Sequence, residues 1–183
     1  MAAFKLSIRS NTDGSFAPAW FDNDTRLWDD PRLRSPLSLI EQWTMPNLKL
    51  HIADQPATPI LFNPNALAFS ASLKNKMTEF PEIEWLPINI QGHGTYFIFH
   101  VTTAIELPDG SNAVVGLPPG GNLAVLHSFP SNFCSPLGFF RVWHPVGSAG
   151  RKVGRCTSGV FLGTAAKASL EVFANEFLEA RSA

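Results

Sequence analysis

Cysteine is scarce in this chain: Cys134 and Cys156 are the only two among 183 residues. Two thiols cannot build a disulfide framework, so the fold must rest on a buried core, and both are expected to stay reduced. No C-x-x-C occurs, and none of the five histidines (His51, His93, His100, His127, His144) pair at the spacing of H-E-x-x-H. That leaves no metal-site signature, and no cofactor is expected. Charge is sparse too, at 16% against the ~25% usual for globular domains. Eight basic residues face ten acidic ones in 1–91, and six face five in 92–183, for a net charge of −1. This is not the basic balance of a nucleic-acid binder. Long apolar runs are missing as well. Nothing approaches the ~18 apolar residues of a membrane helix, and MAAFKLSIRSNTDG lacks the apolar centre of a signal peptide. The Asn23-Asp24-Thr25 sequon therefore has no secretory context. The expectation is a soluble, cytoplasmic protein with no membrane and no nucleic-acid partner.

What is present is apolar bulk. Hydrophobic residues make up 45%, with 15 Phe and 15 Pro, which suits one loop-rich domain spanning 1–183. Phe4–Arg9 alternates apolar and polar residues, the period of a half-buried strand. Ser35-Pro36 before LSLIEQW has the form of an N-cap followed by proline, opening a short helix that stops before Pro46. Leu48–Ile52 and Ile60–Phe62 are short strand candidates. Ser70 can cap a helix over 71–80, ended by Pro81. Strands at 84–90 and 95–105 around Gln91-Gly92-His93-Gly94 predict a hairpin. The second strand is apolar on both faces, as in the middle of a covered sheet. Further strands fit 113–116, 123–129, 139–143 and 158–162. Thr164 caps a helix whose stripe runs Ala166, Leu170, Phe173, Phe177. The expected class is α+β: a mixed, mostly antiparallel sheet, a few helices, and a long C-terminal helix packed on the sheet.

Two motifs invite chemistry. Cys156 follows Arg151, Lys152 and Arg155, which would favour its thiolate, and with one of the histidines it makes a small hydrolase the alternative function. It carries no family's local signature, and Cys134, in the apolar run NFCSPLGFF, reads as a small buried hydrophobe. The glycine-rich segment at 147–155 lacks the Gly-Lys-Ser/Thr of a phosphate loop, so a surface loop is the better account. A recognition patch is the second motif. Asp22, Asp24, Trp28, Asp29 and Asp30 are interleaved with Trp20, Phe21, Arg26, Arg32 and Arg34. Aromatic and arginine anchors beside charges suit a protein-binding surface. The competing account makes the tryptophans core and the charges a self-paired rim.

From the end of that cluster onward the order of elements resembles a known group. The residues that carry it are FSASLKNKM from Phe69, then Glu84-Trp85-Leu86-Pro87-Ile88 and Tyr96-Phe97-Ile98-Phe99-His100-Val101. Phe140-Arg141-Val142, Val160-Phe161-Leu162 and the last helix follow in the same order. This is similar to the immunity proteins of bacterial polymorphic toxin systems, in a group first described as a domain of unknown function. His100 stands where asparagine is usual, and a clear glycine-led strand after the last helix is missing. The resemblance covers roughly the last two-thirds of the chain. It implies a non-catalytic inhibitor that binds a cognate toxin in the cytoplasm, and it brings no catalytic residues.

Overall fold

A computed structural model of the protein describes residues 3–8, 19–20, 30–50, 58–63, 66–77, 79–115, 123–143, 159–173 and 178–183. Its centre is the hairpin expected from sequence. β6 (Ile83–Ile90) and β7 (Gly94–Val101) pair antiparallel from Ile83 opposite Val101 to Ile90 opposite Gly94. Gly92 and Gly94 turn the chain with φ of 79° and 84°, left-handed values that a Cβ would strain. Around the hairpin lie β2 (Ala19–Trp20), β3 (Asn47–Leu48), β4 (Ile60–Asn63) and β5 (Ala66–Ser70). They form a six-stranded sheet in the order β2-β4-β5-β7-β6-β3, with β7 interior as its two apolar faces require.

A second, five-stranded sheet runs β13 (Leu178–Ser182), β1 (Phe4–Ile8), β12 (Phe161–Leu162), β11 (Phe139–Trp143), β8 (Ala104–Glu106). The chain passes from one sheet to the other between β7 and β8. There the Thr102 amide and hydroxyl both bond the Glu82 carbonyl, and the Arg141 amide bonds the Thr103 carbonyl. What reads in sequence as one strand over 95–105 is therefore two strands in two sheets. A separate hairpin joins β9 (Asn112–Val115) to β10 (Leu123–Ser128).

Alternation along β6 and β7 sorts the apolar side chains into two layers. Leu86, Ile88, Ile90, Tyr96 and Ile98 face one side of the six-stranded sheet and are covered by Leu33, Leu39, Leu48 and Leu50. Phe99, Val101 and Phe69 face the other side and meet Phe139, Leu162, Leu6, and Ala166 and Leu170 of α2 (Thr164–Phe173). Aromatic rings fill this inter-sheet layer, Trp85 and Phe139 meeting Phe99 edge to face and Phe69 meeting it at a tilt. Phe99 lies 5.5 Å from Phe69, 5.5 Å from Trp85 and 5.1 Å from Phe139. Behind the second sheet, Phe129, Phe140 and Phe161 form a third apolar cluster with Leu126 and Val142.

The α+β expectation with a long C-terminal helix is overturned, because the described fold is mostly β. α2 is ten residues long, and the chain then continues as β13. Ala166 and Leu170 are buried as the stripe predicts, but past it Leu178 and Ala180 alternate with Glu179 and Arg181, a period of two. That segment pairs with β1 over its full length, Ile8 opposite Leu178 and Phe4 opposite Ser182. Without it, β1 would present unpaired N–H and C=O groups on that side. The helix after Ser70 is also shorter than predicted. Ser70 Oγ does cap it, accepting from the Leu73 amide at 3.3 Å, but α1 spans only Ala71–Lys74 and tightens into turns through Met77. Ahead of it, Phe69 belongs to a strand, β5.

Candidate functional site

No α-helix forms after Ser35. Asp30 caps a 3-10 turn over Pro31–Arg34, its carboxylate accepting from the Arg32 amide at 3.0 Å, and Ser35 ends that turn. A second 3-10 turn covers Ile40–Gln42. Together residues 30–48 make an irregular strap across one face of the six-stranded sheet. Its backbone groups are satisfied by side chains rising from the sheets, which is why the helix ladder gives way.

Three of those side chains matter most. Arg141, on β11 and 3% exposed, donates from a guanidinium N–H to the Leu33 carbonyl at 3.0 Å. His100, on β7 and wholly buried, holds the Leu37 carbonyl at 2.9 Å through Nε2. Glu84, directly opposite His100 across the hairpin, accepts from the Ser38 hydroxyl at 2.6 Å and the Leu39 amide at 2.8 Å. Further along, the Trp43 indole N–H donates to the Pro87 carbonyl at 2.8 Å. The amides of Asn89 and Gln91 then bond the Pro46 and Leu48 carbonyls, where β3 runs parallel to β6. Proline is tolerated at 87 because β3 pairs only with Asn89 and Ile90.

Protonation follows from these contacts. A carbonyl only accepts, so His100 carries its proton on Nε2. Burial pushes its pKa below the ordinary value and the nearby Arg141 cation acts the same way, outweighing Leu37, Glu84 and Leu33, which favour the charged ring. Burial alone would raise the Glu84 carboxyl. Hydrogen bonds from Ser38 and the amides of Leu39 and Ile40 overcome that and hold it below the ordinary carboxylate value. Asp30 is lowered too, chiefly by its hydrogen bond from Arg32.

Seen from outside, the strap is apolar. It buries Leu33 and Leu39 inward, at 1% and 5% exposed, and turns Leu37, Ile40 and Met45 outward, at 63%, 49% and 48%. Of the predicted recognition patch only Asp30 falls on it, forming a two-pronged ion pair with Arg32 at 2.6–3.0 Å. Asp22, Asp24, Trp28 and Asp29 lie outside the described residues, as do Cys156, the loop at 147–155, His51 and His144. Cys134 is free but exposed, which corrects the expectation of a buried side chain. His93 and His127 are exposed. Among the described residues no group of three His, Cys, Asp or Glu could hold a metal ion, and no helix is long and apolar enough to cross a membrane.

The strap and its three anchors escape a reading by periodicity. One signal is there: Glu84, His100 and Arg141 are each flanked by apolar residues inside the largely apolar strands IEWLPINI, GTYFIFHV and FFRVW. A polar side chain in such a place needs a buried partner. Elsewhere, a cleft of about 680 Å³ opens between α1 and β6, walled by Met77, Phe80, Ile83 and Trp85 with Lys74 and Glu79 at its side. The Lys74 ammonium lies 4.5 Å from the Phe97 ring centre. Searched against family models and curated proteins, the chain matches none.

Proposed function

We propose that this protein works by binding another protein, with the outer face of the strap as the contact surface. The observation that carries the reading is the outward set of Leu37, Ile40 and Met45 on a segment fixed by hydrogen bonds to both sheets. Scattered exposed apolar residues are ordinary. Here, though, three of the four large apolar side chains that stand exposed among the described residues come from one strap. Holding them in place beforehand reduces the ordering cost of association. Asp30 and Arg32 add a polar margin of the kind that surrounds an apolar contact. The resemblance to immunity proteins supplies the partner class: a toxin made in the same bacterial cytoplasm, neutralised by direct association. The helix start at Ser70, the strand carrying Leu-Pro-Ile and the tyrosine-bearing strand are in keeping with that order of elements.

The test pairs the chain with the toxin-like product of a neighbouring gene. Leu37→Asp, Ile40→Asp and Met45→Asp, combined, are expected to weaken the complex at least ~100-fold, since hot-spot side chains each contribute about 2 kcal/mol. Thermal stability of the free chain should stay within a few degrees. Unchanged affinity for the triple variant removes the strap as the surface, and no complex with any neighbouring product removes the reading.

A further inference from the structure

We infer that the strap is latched to the sheet by His100 and that acid opens it, making the presented surface pH-dependent. The latch consists of one ring edge. His100 Nε2 holds the Leu37 carbonyl at 2.9 Å, in the stretch that leads directly to the outward Leu37 and Ile40. The ring's other nitrogen, Nδ1, is buried and has no hydrogen-bond partner among the described residues. A second proton would go there, and the site is poorly built to receive it.

Charged groups face the ring from each element packed on it. From β11 comes the Arg141 guanidinium, itself 3% exposed and bonded to the Leu33 carbonyl beside the latch. From β6 comes Glu84, whose oxygens are already committed to Ser38 and Leu39. The strap brings Asp30, which Arg32 pairs in two-pronged fashion. The carbonyls of Leu33 and Leu37 complete the set. Two carboxylates favour an imidazolium and one guanidinium opposes it, yet both carboxylates have other partners and the ring has no access to water. Desolvation therefore decides, and the protonated ring is the unfavourable state here. Opening the strap hydrates the ring and relieves that cost.

The sign follows from linkage. His100 is held below its ordinary pKa of 6.5, so the latch is fully closed above that pH. Opening grows as pH falls through the window between 6.5 and the closed-state value. Within that window the open fraction rises by a factor of ten per pH unit at most, so by no more than about tenfold from pH 7.5 to 5.5. As a means of releasing a partner, the latch rests on the protein-binding reading. As a motion of the free chain it does not.

Hydrogen exchange of the free, full chain tests it, with rates corrected for the pH dependence of intrinsic exchange. Strap amides over 33–43 are expected to exchange faster at pH 5.5 than at pH 7.5, by up to about tenfold, while β6 and β7 amides keep their protection. In His100→Gln, whose amide can still donate to Leu37 but cannot titrate, the strap rates should match at both pH values. Should that variant not fold, the wild-type ring resonances decide: the His100 shift must move with the strap amides, separately from exposed His93 and His127. Strap rates that do not change with pH overturn the inference. So does a rise shared equally with β6 and β7, or one that persists in His100→Gln. Partner affinity measured separately at pH 7.5 reports on the binding reading alone.

Discussion

The two faces of the six-stranded sheet are held by different physics. One face packs on the second sheet through Phe69, Trp85, Phe99 and Phe139, ring against ring. The other face carries the strap, which adds Leu33 and Leu39 to the apolar layer but takes its conformation from Glu84, His100 and Arg141. Dispersion and burial are tolerant of direction, whereas a hydrogen bond to one carbonyl is not. The first face therefore sets how stable the protein is. The second sets where a handful of exposed side chains stand.

Breaking the apolar side should cost most. Phe99→Ala removes a ring that is 3% exposed and touches three other aromatics, so a loss of about 3–5 kcal/mol in urea unfolding is expected. A loss below about 1 kcal/mol would mean the two sheets do not depend on this layer. On the strap side, Glu84→Ala orphans the Ser38 hydroxyl and the Leu39 amide at a partly solvated position, for about 1–2 kcal/mol. Its mark should be local, with faster exchange at Leu39 and Ile40 and little change in β7. Equal change across both faces would erase the distinction.

Acid sharpens the same contrast, because all the lowered groups lie on the strap side. His100 sits below its ordinary 6.5, so stability is complete above that pH and declines beneath it. Glu84 and Asp30 sit below 4.5 and 3.8, so their contributions hold above those values and fail as pH falls toward their folded ones. Urea midpoints at pH 7.5, 5.5 and 3.5 should show two successive losses, the first missing in His100→Gln. A single loss confined to the carboxylate range would discharge His100 from any role in stability.

How far each face could be read from sequence follows from how local its causes are. The β6–β7 hairpin is legible because the alternation and Gly92 and Gly94 lie within one short stretch. The buried positions of α2 are legible for the same reason, since Ala166 and Leu170 show the helical period. β13 is misread because the helical spacing runs on in sequence to Phe177, while the need that makes it a strand is the unpaired side of β1 at the other end of the chain. The strap is the extreme case. Its anchors lie 45, 63 and 108 residues away, and Ser35-Pro36 supplies a local helix signal that those distant bonds override. As for the predicted patch, its one described member, Asp30, stands on the strap as a cap and not as an isolated charge.

That cap gives the smallest effect and separates two kinds of polar contact within the strap itself. Asp30 and Arg32 form a two-pronged ion pair there, yet the Arg32 side chain is 55% exposed against 11% for Asp30. Water competes for the guanidinium, so Arg32→Gln should cost no more than about 1 kcal/mol, and less in high salt. Asp30→Asn keeps an oxygen for the Arg32 amide and should be milder than Asp30→Ala, which removes the cap as well. Arg141, 3% exposed and hydrogen-bonded to the Leu33 carbonyl at 3.0 Å, ought to behave in the opposite way: Arg141→Met should loosen residues 33–37 in hydrogen exchange, and added salt should not reproduce its effect. If Arg32→Gln proves the more damaging of the two, the strap is held from its solvent side, and the contrast between the faces has to be drawn at the strap's outer surface.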